Sequence, residues 1–131
     1  MNITIYVILF LIIFYFYSYV PPKLYIDHKI SMNRLVVTMT TSPQRISKIK
    51  PVIDCIMLQT ITPNRIYLNL PYIFKRNNST FDTPLPTFIT NNPLIYVNWC
   101  EDIGPATKII PTVQIETDPE TLIMSIDNNI Y

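Results

Sequence analysis

Apolar positions along the chain follow three patterns. Ile3 to Val20, "ITIYVILFLIIFYFYSYV", is continuously apolar, with only Thr4 and Ser18 as small polar interruptions. As a single helix it would be roughly 27 Å long, close to one bilayer core. A cleaved signal peptide would carry a basic start, a shorter apolar stretch and small residues at the cut site. Here the chain starts Met-Asn, and Ser18-Tyr-Val-Pro21 is a poor cleavage site. The pattern therefore predicts a transmembrane anchor over residues 1–20. Residues 21–33, "PPKLYIDHKISMN", follow as a short stem led by proline.

From Arg34 onward, short β-branched runs alternate with segments of helical period. "RLVVTM" (34–39), "RIYLNL" (65–70), "LIYVNW" (94–99) and "TLIMSI" (121–126) read as buried strands. After the first, Ile46, Ile49, Ile53, Ile56 and Met57 recur at helical spacing and predict a helix over 43–58. Thr41 or Ser42 can cap it, with Gln44 closing a capping box on Thr41. Pro51 should kink that helix or start a second one. Residues 71–93 have no period and predict an irregular crossover with at most one turn of helix. "ATKIIPTVQIE" predicts a last helix, interrupted at Pro111.

Strands about 30 residues apart, with connections long enough for crossovers, predict βαβ units. The fold class is α/β, Rossmann-like, with a mostly parallel sheet. In such sheets ligands sit beyond the carboxyl ends of the strands. Four polar segments fall there: Thr40–Arg45, Asn69–Pro71, Cys100–Pro105 and Asp127–Asn129.

Composition narrows the chemistry. A net charge of +1, with no basic stripe, gives no electrostatic case for nucleic acid. A single glycine cannot build a P-loop or a GxGxxG turn. Cys55 and Cys100 have no metal-ligand spacing and read as buried thiols, or as a pair in an oxidising compartment. His28 is alone in the stem and reads as solvated. Lys23, Lys29 and Arg34 follow the apolar span and favour a cytosolic body. The sequons Asn77-Asn-Ser79 and Asn78-Ser-Thr80 favour a lumenal one, so topology stays open.

Each rim cluster has a bland reading and a chemical one. Thr40, Thr41 and nearby amides with Arg45 suit a phosphate, or merely cap a helix. Glu101 and Asp102 flank Gly104, the one glycine, which implies a positive φ or a close backbone approach. Lys108 lies one turn further on and can reach the same mouth. Asp127 offers a carboxylate to a hard cation, and Asn128 and Asn129 offer weaker neutral oxygens. Taken alone, an Asp-Asn turn is the better explanation of that last cluster.

In order, the clusters resemble one family. The series is Thr40-Thr41-Ser-Pro43-Gln-Arg45, then Gln59-Thr60, Pro63, Ile66, Leu68-Asn69 and Pro71. Next come Glu101-Asp102-Ile-Gly104-Pro-Ala-Thr-Lys108, Asp118-Pro119-Glu-Thr121, Asp127-Asn-Asn129 and Tyr131. This is similar to the membrane-anchored, GT-A-type glycosyltransferases of large DNA viruses and protists, over residues 34–131. The resemblance implies a partial GT-A domain that binds a nucleotide-diphosphate sugar and transfers the sugar to a glycan or protein. Thr40, Thr41 and Arg45 would lie near the nucleotide, and Asp102 and Lys108 would contact nucleotide or phosphate. Asp127 and Asn129 would hold a divalent metal, Mn²⁺ or Mg²⁺, that neutralises the diphosphate leaving group. The family's triplet is acidic throughout, and here two of its positions are carboxamides. The part of the family's domain that carries the acceptor site would lie beyond residue 131. These departures predict weak activity alone, or a non-catalytic accessory that pairs with another transferase chain at the membrane.

Overall fold

The computed structural model describes residues 33–128, together with Ile8. The predicted anchor, nearly all of the stem and Asn129 lie outside the described residues. No described helix is long and apolar enough to cross a membrane. Met32–Tyr131 forms a unit separate from Met1–Ser31.

Four strands form one sheet: β1 (Leu35–Thr40), β2 (Arg65–Pro71), β3 (Ile95–Cys100) and β4 (Leu122–Ser125). Every pairing is parallel and the order is β3-β2-β1-β4. The fold is therefore α/β with an all-parallel, Rossmann-like sheet. From β1 the chain steps outward one way to β2 and β3, then crosses to the other side of β1 for β4. That reversal places a switch point between β1 and β4, where such sheets leave a crevice at the carboxyl ends.

The two central strands are covered on both faces, which is why they read as unbroken apolar runs. Alternation splits their side chains between two layers. Val37, Met39, Ile66, Leu68 and Leu70 meet Ile49, Ile53, Ile56, Phe81 and Ile89 in the hydrophobic core. The opposite face carries Thr38 and Asn69, both fully buried. Asn69 is thus an interior residue. The sequence placed it on the rim, but β2 runs on to Pro71, two residues further.

The helices are shorter than their periods suggest, and proline is the reason. Instead of one helix over 43–58, a 3-10 turn (Ile46–Lys48) precedes α1 (Lys50–Met57). Pro51 sits in the first turn of α1, where its missing N–H costs nothing. No side-chain cap forms at either start. The Gln44 side chain donates instead to Ser79 Oγ at 3.1 Å. The crossover contains one short helix, α2 (Thr87–Thr90). The last helix is likewise divided into a 3-10 turn (Gly104–Lys108) and α3 (Ile110–Ile115), which begins around Pro111.

Candidate functional site

An open cleft of about 530 Å³ lies at the carboxyl ends of the strands. Its walls come from all four strand exits. After β1 come Thr40, Thr41 and Arg45. After β2 come Phe74, Lys75, Arg76 and Asn77. Asp102, Gly104 and Pro105 follow β3, and Asn128 follows β4. The volume is in the range of small-molecule sites.

The wall after β1 is tied to the wall after β4. Thr41 is buried, and its Oγ1 accepts a 2.7 Å bond from Asn128 Nδ2. Arg45 Nη2 donates to the Asn128 carbonyl at 3.2 Å. Thr40 donates to the Asn69 carbonyl at 2.7 Å, joining the end of β1 to β2. Thr40 and Thr41 therefore shape the cleft through bonds they already make.

Asp102 joins the other two walls. Its Oδ2 accepts the Lys75 N–H at 2.8 Å, and its Oδ1 accepts the Gly104 N–H at 2.8 Å. Thr107 adds a longer contact of 3.4 Å to Oδ1. With both oxygens engaged and the residue 8 % exposed, Asp102 positions backbone. Gly104 has φ of 70°, and a Cβ there would meet nothing within 4 Å. Its requirement is conformational, and no close approach is involved.

Beneath this wall lies a buried polar network. Asn69 Nδ2 donates to Thr38 Oγ1 (3.1 Å), Thr112 Oγ1 (3.0 Å) and the Lys108 carbonyl (3.3 Å). Thr38 also donates to the Lys108 carbonyl. Asn98 Nδ2 donates back to Asn69 Oδ1 at 2.9 Å. The sheet thereby anchors the end of the Gly104–Lys108 turn from below.

Lys108 does not line the cleft. Its Nζ forms a 2.7 Å ion pair with Asp127 Oδ1. This bears on the divalent metal. Among the described residues no group of three or more His, Cys, Asp or Glu could hold one. The single carboxylate after β4 already faces an ammonium, and the Asn128 amide nitrogen is turned to Thr41. A hard dication prefers several anionic oxygens, and among the described residues this rim offers one, already paired with an ammonium.

Cys55 is exposed and Cys100 half-buried, so neither is the fully buried thiol expected, and both are free. Burial, with a smaller push from Asp102, raises the Cys100 pKa and disfavours the thiolate.

Sequence reasoning missed Lys75 and Arg76. They lie in the aperiodic crossover, where nothing periodic marks them. The available signal was their place, four and five residues beyond the carboxyl end of a buried parallel strand. No family model, curated protein or solved structure matches this chain.

Proposed function

We propose that the chain is a glycosyltransferase-like protein whose cleft binds a nucleotide-diphosphate sugar. The partial GT-A fold and a membrane anchor at residues 1–20 belong to the same reading. One observation carries it: four strand exits converge on a single cleft beside the switch point between β1 and β4. Nucleotides bind parallel sheets at that place. The motif-bearing residues Thr40, Thr41, Arg45 and Asp102 all line the cleft, though they are spread over 63 positions of sequence from Thr40 to Asp102.

In this reading Thr41 and Arg45 fix the floor through Asn128, and Asp102 fixes the two loops that flank the donor. Titration of the full chain with UDP- and GDP-sugars by calorimetry tests it. Saturable binding is expected, weakened about tenfold in Arg45→Ala, the size of one lost charge-assisted bond. Absence of heat with every donor, from folded protein, removes the reading.

Asp102 also favours a second reading. Among the described residues it is the one carboxylate lining the cleft, and both of its oxygens are committed to holding loops. A cleft so arranged can bind a donor sugar without turning it over. The chain would then serve as a membrane-tethered accessory to another transferase chain. Donor binding without hydrolysis or transfer, together with co-purification of an active transferase, would distinguish the two.

A further inference from the structure

The charge around the cleft is one-sided. Among the described residues three cations line it, Arg45, Lys75 and Arg76, against one carboxylate, Asp102. That carboxylate is consumed by two backbone N–H groups and a hydroxyl. The acid expected to bring a metal, Asp127, is itself paired with Lys108. Net positive charge at the cleft is thus supplied by side chains.

Two of those cations ride on a loop that is held in shape. Phe74 N–H donates to the Ser79 carbonyl at 2.8 Å, and Asn77 N–H donates to the Phe74 carbonyl at 3.3 Å. Asn77 Oδ1 accepts from Ser79 Oγ (2.6 Å) and Ser79 N (3.2 Å). Asn78 takes a positive φ of 54°, which closes the turn. Outside the loop, Asp102 grips its Lys75 N–H and Gln44 grips Ser79 Oγ. Little backbone freedom is left to lose when a ligand arrives, and preorganisation of this kind favours binding. Lys75 and Arg76 themselves are exposed, so an anion can reach them.

We infer that the Phe74–Ser79 loop, through Lys75 and Arg76 and with Arg45, binds the diphosphate of a nucleoside diphosphate without a divalent cation. The cationic side chains do the charge neutralisation that a metal would otherwise do. This rests on the nucleotide-binding reading above and names how the same cleft holds its ligand.

The test uses the full chain with UDP, GDP and inorganic pyrophosphate. Each is titrated in EDTA and again in Mn²⁺. Heat is read by calorimetry and fluorescence from Trp99, the only tryptophan. Trp99 stacks on Tyr72 at 6.1 Å, two residues before the loop. The expected result is a UDP or GDP Kd that changes less than about twofold between the buffers. The double variant Lys75→Ala/Arg76→Ala should weaken binding at least about tenfold. Its melting temperature should not move, because both side chains are exposed.

A gain of about tenfold or more on adding Mn²⁺ overturns the metal-free inference and leaves the nucleotide reading standing. A double variant that binds as tightly as the parent overturns the part given to Lys75 and Arg76 and likewise leaves the nucleotide reading standing. Binding of pyrophosphate but of neither nucleotide upholds the loop's part and removes the nucleoside. No binding of any probe in either buffer overturns both.

Discussion

The same two strands, β1 and β2, face two different interiors. On one side Val37, Met39, Ile66, Leu68 and Leu70 pack against α1 and Ile89 of α2. On the other, Thr38 and Asn69 are equally buried but meet Thr112 and a main-chain carbonyl through hydrogen bonds. The apolar layer tolerates small shifts, because dispersion and burial are not directional. The polar layer does not, because a displaced donor leaves a buried partner unsatisfied. The directional layer lies under the Gly104–Lys108 turn, part of which walls the cleft. The non-directional layer stabilises the unit, and the directional one sets where the site lies.

Leu68→Ala should give the largest loss of stability, about 3 kcal/mol, for a fully buried leucine. Under conditions where the variant is folded, its Kd for UDP should equal the parent's. Urea unfolding followed by Trp99 fluorescence supplies the first number and calorimetry the second.

Asn69→Leu keeps the number and branching of side-chain heavy atoms but removes four hydrogen bonds of the network. It should cost about 2 kcal/mol in the same unfolding experiment. It should also weaken UDP binding, since the Lys108 end of the turn loses one of the two side-chain donors that hold it. Equal binding in Asn69→Leu and Leu68→Ala would break the distinction between the two layers.

A third element lies on the polar side, toward the start of β1. Glu116, side chain 8 % exposed, accepts two bonds from Arg34 Nε (3.1 and 3.2 Å) and one from Arg34 Nη2 (2.8 Å). Tyr67 adds its phenol at 2.6 Å. The Arg34 hydrogen bonds hold the Glu116 carboxyl below its usual 4.5, against the opposing pull of burial. A depressed folded-state pKa gives stability that is present above the unfolded value and lost as pH falls through the folded one. The melting temperature should therefore drop as pH is lowered from about 5, and Glu116→Gln should flatten part of that slope. The effect at neutral pH is about 1 kcal/mol, reduced because Arg34 is partly exposed.

Gly104→Ala should be smallest, ~0.5–1 kcal/mol, the left-handed penalty partly offset by a stiffer unfolded chain. Its added methyl meets no neighbour, so a larger loss would show that the turn is under strain beyond its φ.

The strands were legible because β-branched runs report burial directly. Observed β1 and β2 fall within one residue of "RLVVTM" and "RIYLNL". The parallel pairing followed from connection length, and the convergence on one rim followed from the pairing. The helices were less legible, since periodicity runs through Pro51 and Pro111 while the backbone does not. Asn69 misled because one polar residue near a strand end looks the same whether it faces solvent or a buried threonine. Lys108 and Asp127 were each assigned a ligand, and their ion pair is a contact across 19 residues that no local pattern encodes. Lys75 and Arg76 were hidden by a crossover whose shape is set by Asp102, 27 residues from Lys75.

The Phe74–Ser79 loop also carries the asparagines of both sequons, and Asn77 lines the cleft. A glycan on Asn77 would stand in the mouth of the cleft. The sugar would attach at Nδ2 and leave Oδ1, which accepts the two Ser79 bonds, in place, so the turn would hold the glycan there. Sugar attachment at this asparagine and ligand entry therefore exclude one another. In a glycosylating compartment, chains modified at Asn77 would be blocked and unmodified chains would stay open, and intact mass measurement would separate the two populations.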